Sequence, residues 1–158
     1  MTAPATRRVV LPAAADTAEL GREVGARLAA GDLVVLSGPL GAGKTCLAQG
    51  IGAGLGVQGP VTSPTFVIAR EHPPLAPGGV AMVHVDAYRL AGADPGSVSA
   101  DLDALDLDTD LTAAAVVVEW GEGVVEALAP EHLRIRLDRP TAGEERTAEL
   151  AGPPRLVG

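Results

Sequence analysis

The chain has 158 residues, 47% of them hydrophobic, enough to bury one core and too few for a second catalytic domain. A net charge of −8 and a pI near 4.7 argue against a free-standing electrostatic grip on nucleic acid, which needs Lys and Arg to neutralise phosphates, so any RNA contact is expected to be indirect. One cysteine, Cys46, excludes an internal disulfide, and the absence of a signal-type apolar stretch or a spanning run makes the cytoplasm the expected compartment, with no membrane partner.

In chain order, Arg7 to Leu11 is β-prone and closed by Pro12. A helix is predicted next, opened by Asp16 with Glu19 three residues on as a capping-box-like start, and carrying Leu20, Val24 and Leu28 on one face. Gly31-Asp32 ends it. Leu33 to Leu36 is a continuous apolar run of the kind a buried parallel strand needs, and a Gly-rich loop and a helix from Gly43 to Leu55 follow. Gly56 to Pro64 reads as loop, Thr65 to Ala69 as strand, and Glu71 to Gly79 as a mobile Pro/Gly-rich turn. Val80 to Val85 is a second buried strand ending at Asp86, and Ala113 to Val118 a third ending at Glu119. Between them, Ala91 to Leu111 suggests one short acidic helix around Leu102, Leu105 and Leu107. After a short helix near Gly123 to Leu128, the alternating runs Leu133 to Leu137 and Arg146 to Leu150 suit an antiparallel edge. The expected fold is therefore α/β, a mostly parallel mixed sheet flanked by helices with an antiparallel C-terminal edge. It is read as one domain over residues 1–158, with loose termini at about 1–6 and 152–158.

Gly38-Pro39-Leu40-Gly41-Ala42-Gly43-Lys44-Thr45 matches G-x-x-x-x-G-K-[ST] between a buried strand and a helix. Glycines let the backbone turn tightly and aim its N–H groups at phosphate oxygens, and the helix N-terminus adds positive potential. Gly38, Leu40, Gly41, Ala42, Gly43, Lys44, Thr45 and Cys46 are thus the candidate nucleotide-binding residues, with Lys44 reaching the β and γ phosphates and the Thr45 hydroxyl ligating magnesium. The alternative, a Gly-rich turn with a solvated lysine, does not explain the flanking strand and helix. The motif implies a P-loop nucleotide-binding fold.

Two apolar strands end in acids, Asp86 and Glu119, at the strand ends where ligands of open α/β sheets collect. Either could be the second magnesium ligand. The chain has shed nearly all its aromatics, yet Phe66, Tyr88 and Trp120 lie inside candidate motifs. Cys46 also reads as a small helix residue and His84 as a packed or hydrogen-bonded strand residue, while His72 and His132 lack zinc-ligand spacing.

The ordered set Ser63-Pro64-Thr65-Phe66, His84-Val85-Asp86-Ala87-Tyr88-Arg89-Leu90 and Val116 to Glu122 (VVVEWGE) resembles the TsaE family, over about Leu33 to Leu137. That resemblance implies a small bacterial ATPase, using ATP and Mg2+, that helps make threonylcarbamoyladenosine in tRNA together with TsaD and TsaB. It implies that Asp86 holds magnesium with Thr45, that Glu119 orients or activates the attacking water, and that Thr62, Ser63 and Thr65 form a switch-like loop near the phosphates. Trp120, Tyr88 and Arg89 would shape the site or contact a partner. Departures are Val85, where relatives carry an aromatic, the Pro-rich stretch after Phe66, and the Asp-rich segment Asp101 to Asp110.

The same parts are chemically sufficient, because phosphoryl transfer is mostly positioning and charge neutralisation. A GTPase needs an N-K-x-D base-reading motif, and the only lysine, Lys44, is already used. A small-molecule P-loop kinase is the competing expectation, with Arg70, in the loop before His72, as its candidate lid arginine.

Overall fold

The computed structural model describes residues 3–39, 42–57, 69–86, 114–119, 131–140 and 143–158. In chain order these form β1 (Ala5–Leu11), α1 (Ala14–Arg27), β2 (Leu33–Ser37), α2 (Lys44–Leu55), β3 (Ala69–His72), β4 (Ala81–Asp86), β5 (Ala114–Glu119), β6 (Leu133–Asp138), β7 (Arg146–Gly152) and α3 (Pro154–Val157). The strands make one sheet in the order β1-β7-β6-β2-β5-β4-β3. β2 pairs in parallel with both β5 and β6, and β4 with β5, whereas β7 runs antiparallel to its neighbours β1 and β6, and β3 to β4. The sheet is therefore mixed, with three parallel and three antiparallel pairings among the described strands, rather than mostly parallel as expected.

β2 and β5 are buried at every position, as their unbroken apolar runs require. β6 instead alternates, with Leu133, Ile135 and Leu137 buried and Arg134 and Arg136 exposed. The two C-terminal strands do pair antiparallel as expected, but they are not the edge: β6 is hydrogen-bonded on both sides, β7 is covered by β1, and among the described residues the edges are β1 and β3. Period-two exposure reports one open face of a strand, not an open hydrogen-bonding edge.

The core lies where α1 and α2 cover one sheet face. Leu20, Val24, Leu47, Ala48 and Ile51 from the helices pack over Val34, Leu36, Met82, Ala115, Val117 and Ile135 from the strands. The helices touch through glycines. A side chain at Gly21 would meet the Leu47 carbonyl and the Gly50 Cα, and one at Gly25, Gly50 or Gly54 would collide with a backbone carbonyl of the other helix. Residues rising along α1 meet residues rising along α2, so the pair runs parallel.

α1 starts earlier than expected. Ala13 is the N-cap, and Asp16, three residues in, accepts a hydrogen bond from the Ala13 N–H at 2.9 Å. Asp16 is thus the acid of the first turn rather than the cap. β3 also departs from expectation: Glu71 and His72, read as turn, belong to the strand, while residues 65–68 of the expected strand lie outside the described residues. The following turn is tied back by the Leu75 N–H, which donates to the Gly56 carbonyl at 2.8 Å.

Neither terminus is loose as expected. Ala5 and Thr6 pair with Gly152 and Ala151. Beyond them Pro153 and Pro154, which read as loose, supply the start of α3, because proline's fixed φ suits a first helical turn. Leu156 and Val157 enter the core. Arg155 donates twice to the buried Asp32 carboxylate, at 2.6 and 3.1 Å, and that hydrogen bond holds its guanidinium above its ordinary pKa despite the opposing cost of burial. Among the described residues no helix is long and apolar enough to cross a membrane.

Candidate functional site

The site is built at the carboxyl ends of three neighbouring parallel strands, β2, β5 and β4. β2 ends at Ser37 and passes directly into Gly38, whose φ of 138° and closeness to the Leu137 carbonyl both exclude a side chain. Gly43, at φ 101°, is the N-cap of α2. No side chain caps this helix and its first turn holds no acid, so the amides that helix geometry leaves without an intrahelical acceptor are available to an anion. Within the loop, the Ala42 N–H donates to the Pro39 carbonyl at 3.1 Å.

Lys44 opens α2 and is buried, 6% exposed, with Nζ donating to the carbonyls of Gly38 at 2.6 Å and Pro39 at 3.1 Å. Its ammonium is thereby held inside the loop rather than in solvent, which is where a phosphate chain lying on the loop would meet it. A buried cation of this kind needs compensating oxygens, and these two loop carbonyls are among them. Thr45 follows, half-buried. Cys46 Sγ donates weakly to the Ala14 carbonyl at 3.5 Å, and beside it Ala14, Thr17, Gly43, Glu144 and Arg146 line a small cavity next to the amino end of α2.

Glu119 is the last residue of β5, in register with Leu36 of β2 on one side and with Asp86, the last residue of β4, on the other. The topology thus brings Lys44, Glu119 and the Asp86 backbone to one end of the sheet. Sequence reasoning expected these three residues at one site, and it missed the partner of Glu119. His84, fully buried, lies 2.6 Å from Glu119 Oε2 through Nε2. With the Glu119 carboxylate as acceptor, Nε2 is the donor of this bond. No local signal in the sequence names this partner, because only the parallel pairing of β4 with β5 brings the two residues within reach.

Leu40, Gly41, Thr62, Ser63, Thr65, Phe66, Tyr88, Arg89 and Trp120 lie outside the described residues, as do the helices expected near residues 102–107 and 123–128. Arg70 is found in β3 rather than in a loop, in register with His84 and exposed. The groups that are described fit a nucleotide with its cation: positive-φ glycines at Gly38 and Gly43, a helix start with no side-chain cap, a buried amine on loop carbonyls and acids ending the adjacent strands.

Comparison with known proteins bears on the same residues. A family model described as "Threonylcarbamoyl adenosine biosynthesis protein TsaE" matches residues 11–148. A Mycobacterium bovis protein named "tRNA threonylcarbamoyladenosine biosynthesis protein TsaE" is 56% identical over 138 residues, 87% of this chain and 82% of that one. A Streptomyces coelicolor protein of the same name is 55% identical over 137 residues, 85% and 88% of the two chains, and one from Treponema pallidum is 38% identical over 128 residues, 79% and 85%. Among solved structures, Bacillus subtilus YdiB superposes with a TM-score of 0.71 at 25% identity, covering 96% of this chain and 88% of that chain.

Proposed function

Because this chain belongs to the TsaE family and takes part in the biosynthesis of threonylcarbamoyladenosine in tRNA, we propose that its share of the work is the binding and hydrolysis of ATP with Mg2+, on a P-loop NTPase fold, in the cytoplasm, as helper to TsaD and TsaB. The observation that carries this reading is the convergence of a glycine-capped α2, the buried Lys44 and the acid-ended strands β4 and β5 at one end of the sheet.

On this reading Gly38, Leu40, Gly41, Ala42 and Gly43 wrap the phosphates, and Lys44 moves its donors from loop carbonyls to the β and γ phosphate oxygens. The Thr45 hydroxyl and Asp86 would hold magnesium, which when bound neutralises phosphate charge. Glu119 orients the attacking water, and Thr65, Cys46 and Trp120 complete the nucleotide's surroundings. The net charge of −8 suits a protein that reaches tRNA through its partners rather than directly.

Reconstitution tests it. The chain is mixed with TsaD, TsaB, tRNA and threonylcarbamoyl-adenylate, and modified tRNA is counted over several turnovers with and without ATP. Sustained modification should require both the chain and ATP, with slow hydrolysis by the chain alone and faster hydrolysis with its partners. Lys44→Ala and Asp86→Ala should each abolish hydrolysis and sustained modification, and full activity in either would refute the site. ATP consumption that instead depends on a hydroxylated metabolite and yields its phosphate ester would identify a kinase.

A further inference from the structure

We propose that His84 is the positioning residue for Glu119, holding one carboxylate oxygen so that the other is presented to the water attacking the nucleotide. The inference rests on the reading above that Glu119 orients that water, and it goes beyond it by assigning the group that sets its geometry.

His84 Nε2 and Glu119 Oε2 are 2.6 Å apart, a short hydrogen bond at or just below the charge-assisted N–H···O range of about 2.7–2.9 Å, with both side chains buried at 0% and 5% exposure. They reach each other across neighbouring parallel strands, because His84 is in register with Val117 and Glu119 lies two residues beyond it on the same sheet face. That is the face covered by α2, the helix that opens with Lys44. Strands fix their side chains more tightly than loops do, so a carboxylate clamped from a neighbouring strand has little freedom left.

The pair is poorly made for stability. A purely structural pair would satisfy both partners, since a buried polar atom without a hydrogen bond is costly. Among the described residues, His84 Nδ1 is buried with no hydrogen-bond partner, and the hydrogen bond made by Glu119 is through Oε2. Apolar neighbours such as Met82, Val83 and Val85 show that the strand could have carried an aliphatic residue instead. The histidine leaves Oε1 as the oxygen that can accept from a water, and fixes where that oxygen stands.

The test uses the full chain and four variants: Glu119→Ala, His84→Leu, His84→Gln and the double variant His84→Leu with Glu119→Ala. Single-turnover ATP hydrolysis and ATP affinity are measured for each, with thermal unfolding as the check on folding. His84→Leu should slow hydrolysis by roughly 10- to 100-fold, as losses of orienting partners generally do, while changing ATP affinity by less than about twofold. His84→Gln, which keeps an N–H donor, should recover part of that loss even if the leucine variant proves unstable. The double variant should be no slower than Glu119→Ala, because a positioning residue has nothing to position once the carboxylate is gone. Wild-type hydrolysis in His84→Gln and His84→Leu alongside a slow Glu119→Ala would overturn the proposal and leave Glu119 in place. Multiplying losses in the double variant would also overturn it. Wild-type hydrolysis in Glu119→Ala would remove the reading on which it rests.

Discussion

Gly38 carries two constraints at once, a positive φ and a backbone carbonyl, that of Leu137, in the space a side chain would fill. Gly56, which caps the far end of α2, carries only the first, with φ 79° and open space around it. The pair separates strain from crowding. Gly56→Ala should cost about 1–2 kcal/mol for the left-handed backbone, with ATP affinity unchanged. Gly38→Ala should cost more in thermal unfolding and also weaken ATP binding by roughly tenfold or more, since the loop must shift to clear the carbonyl. Equal ATP affinities in the two variants would show that the loop geometry at Gly38 is not what binds phosphate. At this scale the sequence was informative about chemistry and silent about partners. The motif names Lys44, but nothing in it shows that the ammonium rests on the carbonyls of Gly38 and Pro39, because that depends on how the loop closes.

Between elements, the contact of α1 with α2 is governed by side chains that are absent. Gly21 and Gly25 on one helix and Gly50 and Gly54 on the other let the backbones meet, and through α1 they set the tilt of the helix whose first turn is the candidate phosphate site. Alanine is the better helix former by about 1 kcal/mol, so in an isolated helix Gly25→Ala would stabilise. In this fold its Cβ would strike the Ile51 carbonyl, and overpacking of that kind costs roughly 1–3 kcal/mol. Gly25→Ala should therefore lower the melting temperature by a few degrees, at about 2–4 °C per kcal/mol for a chain of this size, and Gly54→Ala should do the same. A rise in melting temperature would mean that propensity outweighs packing here. Sequence reading found both helices from periodicity and missed this contact, because a glycine inside a helix looks like a weakness until its neighbour is known.

For the whole molecule, the C-terminal segment closes the fold. α3 buries Leu156 and Val157, Arg155 ties it to Asp32 at the start of β2, and Arg7 donates to the Val157 carbonyl at 3.4 Å. Burying such side chains is worth roughly 1.5–3 kcal/mol each, so deleting residues 153–158 should remove about 3–6 kcal/mol from a total that is typically 5–15. Urea unfolding of the truncated chain would measure it, and an unchanged midpoint would return the segment to a loose tail. Arg155→Ala should cost far less, about 1 kcal/mol, since its side chain is 56% exposed and solvent screens the pair.

Unbroken apolar runs placed β2, β4 and β5 as buried strands, and the Gly-Lys-Thr spacing placed the candidate phosphate loop between β2 and α2, because burial on both faces and a phosphate-binding motif each impose a local residue pattern. Asp86 and Glu119 were legible for the same reason, as acids closing such runs. The sheet order, the edges, the docking of α3 and the bond between His84 and Glu119 were not legible. Each joins residues distant in the chain, 35 apart for His84 and Glu119, and no local pattern states which strand lies beside which. Only the tertiary structure decided that Glu119 shares its strand end with Asp86 and its hydrogen bond with His84, since the parallel pairing of β4 and β5 is what brings them within reach.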